Sequence, residues 1–328
     1  MAPCLRTRRL RMPPHNQHPM ITRSKKKAHM MAAYTPIKLP YFAPTPTPLP
    51  TYEAIVILAN QASSELSVQK PGRHIIKIGK FVVKYGKQVD FIEGENMLLV
   101  RQHTSIPIPT LYAMYQHEAS GNKVIIMEYV VGDVLSDCYN KLDTESKASI
   151  GARLRSQLSE LREIPSPGFY GVLGGRPYLE QSWLFKERVG PFDSAGAFLD
   201  AYFNAQFSEA AKSVHPQISD LKTQFIELSR NYSTPVFTHG DLQGQNIILR
   251  KDGSLCLIDW ESASYCPAYF EFFIYGTYAM ASSGLSESDE HHVLEYSKMA
   301  ELIIKVWNTY IALNDRHKAV GENVHTSN

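Results

Sequence analysis

Apolar and polar positions alternate in short runs through the first half of the chain. Two pairs of such runs, rich in Val, Ile and aromatic residues, are each split by turn residues, which predicts antiparallel strands. Other segments repeat apolar residues at helical spacing. The predicted strands are residues 74–80, 81–86, 110–118 and 123–130, and the predicted helices are residues 51–63 and 89–103. The front half is therefore expected to form a sheet with helices.

The apolar spacing changes to a helical period from about Thr144 onward. Two short strands around a polar loop interrupt this pattern at residues 236–262. The predicted helices are residues 147–164, 195–211, 218–231 and 294–313. A strand-rich front half before a helix-rich back half is typical of an α+β fold. We expect two lobes, an antiparallel-sheet N-lobe and a mostly helical C-lobe.

Length and charge indicate how the chain is divided. Its 328 residues exceed the ~250–300 residues at which single cores stop growing, which favours two lobes. The first 33 residues carry eight Lys or Arg and no acid, leaving 26 basic and 32 acidic residues in the rest. The net charge of +2 thus reflects a tail and indicates no nucleic-acid partner. The expected segments are a disordered basic tail (1–33), a Pro-rich strap (34–50), the N-lobe (51–130), the C-lobe (131–320) and a disordered tail (321–328).

Several classes of protein are disfavoured by the sequence. No apolar run approaches the ~18–20 residues of a membrane helix, so no membrane partner is expected. The four cysteines lack C-x-x-C spacing, which gives no support for a zinc or redox site and favours a reducing, cytoplasmic compartment. The basic tail leaves open mitochondrial or nuclear targeting, or a true start at Met20, Met30 or Met31. The oligomeric state is not indicated.

Polar residues at specific spacings lie within VFTHGDLQGQNIILRKDGSLCLIDWES, residues 236–262. Asp241 follows an apolar run, and Asn246 comes five positions later. Asn246 opens a predicted hairpin that Asp259 closes. Because a hairpin brings its ends together, these two side chains are expected to reach one cation, and their oxygens suit Mg²⁺. Asp241 lies one loop away, where it is positioned to accept a proton from a hydroxyl.

The strings H-G-D-x-x-x-x-N and I-D-W-E resemble the catalytic loop and metal-binding segment of the aminoglycoside phosphotransferase and choline kinase-like superfamily, which is related to protein kinases. The resemblance spans residues 51–313 and includes features of a fungal-type branch. It implies a bilobal protein-kinase-like fold that uses ATP and Mg²⁺. It also implies Asp241 as the catalytic base, Asn246 and Asp259 as Mg²⁺ ligands, and His239 as a brace for the loop.

Some positions depart from the family pattern. Gln243 stands where relatives often have His, Gly244 follows it in place of a Pro-containing step, and Ser264 stands where Gly is frequent. A long Gly-rich phosphate loop is missing, since only Gly72 and Gly79 are available. These departures leave loop geometry and acceptor preference open, but every group that the chemistry needs is present.

The N-lobe supplies the nucleotide-gripping residues that the resemblance implies. Lys84 lies within a strand pattern, where a partner is expected, although a solvent-facing lysine on an edge strand is the alternative. Glu93 on the next helix is the preferred partner, because it lies seven residues before Val100, as the family resemblance implies. Glu95 is the reserve, since residues two apart point to different helix faces. The Glu128 carbonyl and the Val130 amide are expected to pair with adenine at the hinge. The expected apolar slot is lined by Ile76, Val82, Met127 and Ile258.

The function expected from this resemblance is ATP-dependent O-phosphorylation of a small molecule that carries a hydroxyl. The alternative is a kinase-fold binding protein without catalysis; a protein kinase is disfavoured because D-F-G and A-P-E are absent. Residues 191–328 hold nine Lys or Arg and seventeen Asp or Glu, which favours an amine-bearing acceptor. The acidic candidates for contacting it are Glu261, Glu271, Glu287, Asp289 and Glu290. The aromatic candidates are Trp260, Tyr265, Tyr269 and Phe270, for which core packing is an equal alternative.

Overall fold

The N-lobe is a six-stranded antiparallel sheet with a helix on each face. The computed structural model describes residues 34–61, 67–180, 184–206, 217–229, 234–268 and 270–271. The strands are β1 (Tyr41–Phe42), β2 (Ser67–Lys70), β3 (Arg73–Ile78), β4 (Phe81–Gly86), β5 (Leu111–Gln116) and β6 (Lys123–Glu128). The helices are α1 (Tyr52–Gln61) and α2 (Ile92–His103). In the sheet the strands follow the order β1-β5-β6-β4-β3-β2.

Alternation along the central strands gives the two faces different cores. Val83 of β4 and Ile126 of β6 pack with Ile55 of α1 on one face. Ile125 and Met127 point the other way and join the core that α2 shares with the C-lobe. Side chains at successive positions of a strand point to opposite faces. Lys84, which follows Val83, is therefore directed to the α2 face, toward the C-lobe.

The C-lobe carries most of the helices and two small sheets. Its helices are α3 (Leu135–Cys138), α4 (Thr144–Arg162), α5 (Ala195–Gln206) and α6 (Gln217–Ser229). Its strands are β7 (Asp133–Val134), β8 (Pro235–Thr238), β9 (Ile247–Leu249), β10 (Leu255–Leu257) and β11 (Ser264–Pro267). They form antiparallel sheets in the orders β10-β9-β7 and β11-β8. The paired strands β8 and β11 flank the two loops that precede and follow the β9–β10 hairpin.

The division into an antiparallel-sheet N-lobe and a mostly helical C-lobe is confirmed. The predicted front-half helices are α1 and α2, and the predicted strand pairs are β3–β4 and β5–β6. The helix predicted at residues 294–313 and both terminal tails lie outside the described residues. The described part of the chain contains no helix with the length and apolar character needed to cross a membrane.

Two N-lobe strands were missed by the sequence analysis. Tyr41 and Phe42, within the Pro-rich strap, pair with Met114 and Ala113 and extend the sheet beyond β5. Residues 67–70 form β2, which pairs with β3. A two-residue strand between prolines has no period of its own, so its pairing depends on an edge that tertiary structure exposes.

Candidate active site

Lys84 is a buried cation at the centre of an ionic cluster. Its side chain is almost fully enclosed, at 7% exposure. The ammonium donates to Glu93 Oε1 at 2.7 Å and to Asp259 Oδ1 at 2.7 Å. An N-lobe strand, an N-lobe helix and a C-lobe loop therefore meet at a single nitrogen atom. The expected pairing of Lys84 with Glu93 is present.

Mutual attraction keeps Lys84 and Asp259 charged. Burial alone lowers the pKa of Lys84, but Glu93 and Asp259 outweigh burial and hold that pKa above its ordinary value. Burial alone raises the pKa of Asp259, yet Lys84 holds it below its ordinary value. Burial raises the pKa of Glu93, and the neighbouring carboxylates act in the same direction. Lys84 consequently stays cationic at physiological pH and presents fixed positive charge to the cleft.

Glu95, the reserve partner, faces a different element. It forms an ion pair with Arg176 from the loop between α4 and α5. Glu93 and Glu95 are two positions apart on α2, so their side chains leave the helix in different directions. The helix therefore contributes one carboxylate to Lys84 and a second to an inter-lobe contact.

Asp259 has an unusual backbone conformation. Its φ of 65° and ψ of 65° make it the non-glycine residue with left-handed φ among the described residues. The following turn is anchored to α2, because Asn96 Nδ2 donates to the carbonyls of Trp260 (2.9 Å) and Ala263 (3.1 Å). The Trp260 ring is buried, and its Nε1 donates to Leu257 O at 3.0 Å. Backbone strain of this kind persists where the surroundings hold it and is frequent at functional sites.

His239 braces the loop before Asp241, as expected. Its Nε2 lies 2.9 Å from the Ile258 carbonyl, which can only accept, so Nε2 carries the proton. Its Nδ1 then accepts from the Asp241 amide at 3.3 Å. The ring is fully buried, and burial lowers the pKa of His239 to about 4. A neutral imidazole thus ties the loop to the residue preceding Asp259.

Glu271 supports the same loop from the interior of the C-lobe. This corrects the prediction that Glu271 contacts the acceptor, because the residue is only 1% exposed. Its carboxylate accepts from the backbone amides of His239 and Gly240. Burial raises the pKa of Glu271 to about 7. Because this carboxylate accepts hydrogen bonds from backbone amides inside the lobe, it is not available to contact a bound molecule.

Asp241 and Asn246 interact directly. Asn246 Nδ2 donates to Asp241 Oδ2 at 2.9 Å and to Asp241 O at 2.8 Å. Gln243 Nε2 donates to Asp241 Oδ1 at 2.6 Å, so each carboxylate oxygen is held by one amide. Burial raises the pKa of Asp241. The Ile258 amide donates to Asn246 O at 2.9 Å, which places Asn246 beside the residue that precedes Asp259.

The hinge residues connect the two lobes. Glu128 ends β6, its amide donates to Thr110 O (2.8 Å), and its carboxylate accepts from Thr110 Oγ1 (2.9 Å). Val130 is buried in a small apolar cluster that includes Ile258. Two of the residues expected in the apolar slot, Val82 and Met127, lie on the α2 face. Ile76 does not, since it packs against α1 on the opposite face, and this expectation was wrong.

Arg73 is a cationic residue of the site that the sequence analysis missed. Its Nη1 lies 2.8 Å from Glu261 Oε1 and its Nη2 lies 2.6 Å from Glu261 Oε2, a bidentate pair. Carboxylate oxygens of Glu93, Asp259 and Glu261 all lie within 4.8 Å of one another. Arg73 thus lies at the edge of the ionic cluster around Lys84. The two partners are 188 positions apart, so only the fold brings them together.

The remaining acceptor candidates fall into two groups. Trp260, Tyr265 and Phe270 are essentially fully buried, which favours the alternative of core packing. The other candidates lie outside the described residues, namely Tyr269, Glu287, Asp289 and Glu290.

A pH-dependent stability is expected from His239. Because its folded-state pKa is depressed from 6.5 to about 4, its contribution is complete above pH 6.5 and is lost as pH falls toward 4. Between pH 7.5 and pH 5 the loss amounts to roughly 2 kcal/mol. Urea unfolding of the wild type and of His239→Gln gives the free energy of unfolding at both pH values. The change between the two pH values in the wild type, minus that in the variant, is the contribution of His239.

That difference isolates the histidine from its buried neighbour. Glu271 has a raised pKa, so its ionisation lowers stability as pH rises from 4.5 to about 7, the opposite sign. Both proteins keep Glu271, and its effect cancels. Equal pH dependences in the wild type and the variant would contradict a buried, neutral His239.

Gly240 is expected to be irreplaceable for steric reasons. Its φ is +79°, and a Cβ there would collide with the Ser262 carbonyl oxygen. Gly168 is a matched control, with φ of +85° but open space around the added atom. We expect Gly168→Ala to cost about 1 kcal/mol of unfolding free energy and Gly240→Ala about 3 kcal/mol or more. Similar losses in denaturant unfolding would mean that the loops at 240 and 262 are not in contact.

The fold and the site together define a protein of the kinase-like phosphotransferase class. Residues 88–301, more than half of the chain, match the model of the phosphotransferase enzyme family. The chain therefore belongs to that family, and the recognition from its sequence motifs is confirmed. A search of curated proteins gives no match.

Solved structures with a similar fold include several aminoglycoside phosphotransferases. APH(4)-Ia aligns with a TM-score of 0.53 and 13% identity, over 81% of this chain and 92% of its own. A thermostable mutant of it in complex with ADP and hygromycin B gives 0.52 and 13%, over 84% and 93%. The GDP and kanamycin complex of APH(2″)-IIia gives 0.51 and 14%, over 84% and 97%. At these identities the likeness establishes the fold, and the predicted bilobal protein-kinase-like fold is confirmed.

Proposed function

We propose that the protein transfers the γ-phosphoryl group of ATP to a hydroxyl of a small molecule. The observation that carries this proposal is the buried Lys84 ammonium, bonded to Glu93 and Asp259 beside the Asp241–Asn246 loop. Family membership supports phosphoryl transfer as the class of activity. Catalysis of phosphoryl transfer depends chiefly on charged groups held in fixed positions, and this cluster contains such groups.

The donor set of the cluster fits Mg²⁺. Asp259 and Asn246 offer a carboxylate and an amide, and hard oxygen ligands are those that Mg²⁺ prefers. The nitrogen of Asn246 is taken by Asp241, which leaves its oxygen as the atom available to a cation. Lys84 occupies Asp259 Oδ1, which leaves Oδ2. In this proposal Asn246 and Asp259 hold the ion, which supplies charge neutralisation for the nucleotide phosphates.

The nucleotide would lie between the lobes. Lys84 binds the non-transferred phosphates, and Glu93 holds its ammonium in place. The base is bound at the hinge by the Glu128 carbonyl and the Val130 amide. The GDP complex of a protein with the same fold makes guanine a second base to test.

Asp241 is the proposed general base. Its two amide partners, Gln243 and Asn246, fix the orientation of its carboxylate. Burial raises its pKa, which brings it closer to that of a useful base at neutral pH. Asp241 orients the acceptor hydroxyl and takes its proton late, as the bond to phosphorus forms. The acidic balance of residues 191–328 favours an amine-bearing acceptor.

A coupled assay of ADP or GDP release tests this proposal. The full chain is incubated with Mg²⁺, ATP or GTP, and a panel of amino alcohols, aminoglycosides and sugars. We expect one class of acceptor to raise nucleotide consumption above the rate without acceptor, and phosphate to be found on its hydroxyl. Tight nucleotide binding with no acceptor-dependent turnover across the panel would favour the alternative, a binding protein without catalysis.

A further inference from the structure

The turn that precedes Arg73 is too short to enclose phosphates. Strands β2 and β3 are joined by Pro71 and Gly72 alone, and Lys70 pairs with Arg73 in the register. Backbone amides of a longer glycine-rich loop cradle phosphates in related folds. Proline has no amide hydrogen, so this turn offers little of that kind. A nucleotide site built here needs another group on the β2–β3 side.

Arg73 provides a cation at the position where that loop would be. It is the first residue of β3, directly after the turn. Its guanidinium reaches the C-lobe and forms the bidentate pair with Glu261. Neither side chain is fully buried, at 25% and 32% exposure, so solvent reaches both. The pair lies beside Asp259, and among the described residues the three carboxylates of Glu93, Asp259 and Glu261 face two cations, Lys84 and Arg73.

We propose that Arg73 is a phosphate-binding residue that replaces the glycine-rich loop, and that Glu261 is its resting partner. This inference depends on the proposed nucleotide site. The planar guanidinium binds carboxylates and phosphates with the same bidentate geometry, so exchange of partners needs no new chemistry. A divalent cation beside Asp259 would neutralise Glu261 and weaken its hold, while the triphosphate offers Arg73 a higher anionic charge. Arg73 moves from Glu261 to phosphate oxygens when the nucleotide binds.

A purely structural role of Arg73 predicts a different effect on nucleotide affinity. If Arg73 only fastened the lobes through Glu261, its removal would open the cleft and leave nucleotide affinity unchanged or increased. As a phosphate ligand, its removal weakens binding in proportion to the phosphates present. Affinities for ATP, ADP and adenosine therefore separate the two roles.

Calorimetric titration of the full chain tests the first part. We expect Arg73→Ala to weaken Mg·ATP and ADP about tenfold or more and to leave adenosine within about twofold. Arg73→Lys keeps the positive charge but loses the bidentate guanidinium, so it should recover part of the lost affinity. Such recovery would show that the loss in Arg73→Ala is not caused by misfolding. The control is Arg188→Ala, an arginine 57% exposed and 3.9 Å from its partner Asp90, with no effect expected. An ATP affinity that is unchanged or tighter in Arg73→Ala would overturn the proposal.

Titration with ATP in EDTA tests the exchange of partners. Glu261→Gln releases Arg73 before the nucleotide arrives, so we expect metal-free ATP to bind several-fold more tightly than to the wild type. Adding Arg73→Ala should abolish that gain, which a double-mutant cycle measures as coupling. No gain in Glu261→Gln would overturn the role of Glu261. Failure of the proposed nucleotide site would show differently, because the unaltered protein would then bind neither ATP nor ADP, and both proposals would fall.

Discussion

Asp241→Ala is expected to lower kcat by about three orders of magnitude while nucleotide affinity changes by no more than about twofold. In the proposed reaction this carboxylate takes the proton of the acceptor hydroxyl. Lys84 has Glu93 and Asp259 as its partners, so the cluster that is proposed to bind phosphate remains assembled. The acceptor with the highest rate in the panel assay provides kcat, and calorimetry provides the nucleotide affinity.

Two further variants sharpen this result. Asp241→Asn keeps the shape of the side chain but removes the base, so it should lose as much activity as alanine. Asp252→Ala removes an exposed carboxylate in the β9–β10 turn, where it accepts from Ser254, and should keep nearly full activity. An Asp241→Asn protein with more than a tenth of wild-type kcat would exclude general-base catalysis by this residue.

Asp259→Ala is expected to abolish detectable binding of Mg·ATP. This carboxylate is the proposed metal ligand and also one of the two acceptors of the Lys84 ammonium, so both charges that hold the nucleotide lose their position. Lys84 keeps Glu93, which leaves the N-lobe ion pair intact and limits the loss of folding stability. Calorimetry with ATP at saturating Mg²⁺ measures the effect.

The left-handed backbone of Asp259 needs its own control. Asn tolerates that conformation better than other residues, so Asp259→Asn removes the charge with little change in backbone preference. We expect Asp259→Asn to lose at least tenfold in Mg·ATP affinity. Its affinity for adenosine should remain within about twofold. Mg·ATP affinity equal to wild type in either variant would contradict the metal site.

The residues of the motifs could be predicted from sequence because their spacing is local. Asn246 and Asp259 lie at the two ends of one hairpin, so strand pairing alone brings them together. The preference for Glu93 over Glu95 came from the family resemblance, since Glu93 has the family's spacing to the helix end at Val100; helix geometry added only that the two side chains point to different faces. The fold class followed from the change in apolar period near Thr144.

What sequence reasoning missed depends on contacts between distant segments. Arg73 meets Glu261 only because the N-lobe sheet closes over the C-lobe loop. Glu271 was expected to contact the acceptor because it belongs to the acidic back half of the chain, but it is buried and accepts from two backbone amides of the loop before Asp241. Ile76 was expected in the apolar slot for adenine, but the face to which it points depends on the register of β3 with β4, which the sequence alone does not give.

The fold alone does not choose the acceptor. The solved structures of the same fold include complexes with hygromycin B and with kanamycin, two different aminoglycosides. In this chain Gln243 lies next to Asp241, the proposed general base, and its side-chain amide donates to that carboxylate. The acceptor is therefore a question for the panel assay, while the phosphate-handling residues are open to direct structural test.

A crystal structure with AMP-PNP and Mn²⁺ tests the central claim most directly. We expect the triphosphate in the cleft next to Lys84 and an anomalous manganese peak bonded to oxygens of Asn246 and Asp259. We also expect the adenine at Glu128 and Val130. A nucleotide bound away from Lys84, or a manganese peak that contacts neither Asn246 nor Asp259, would contradict the proposed site.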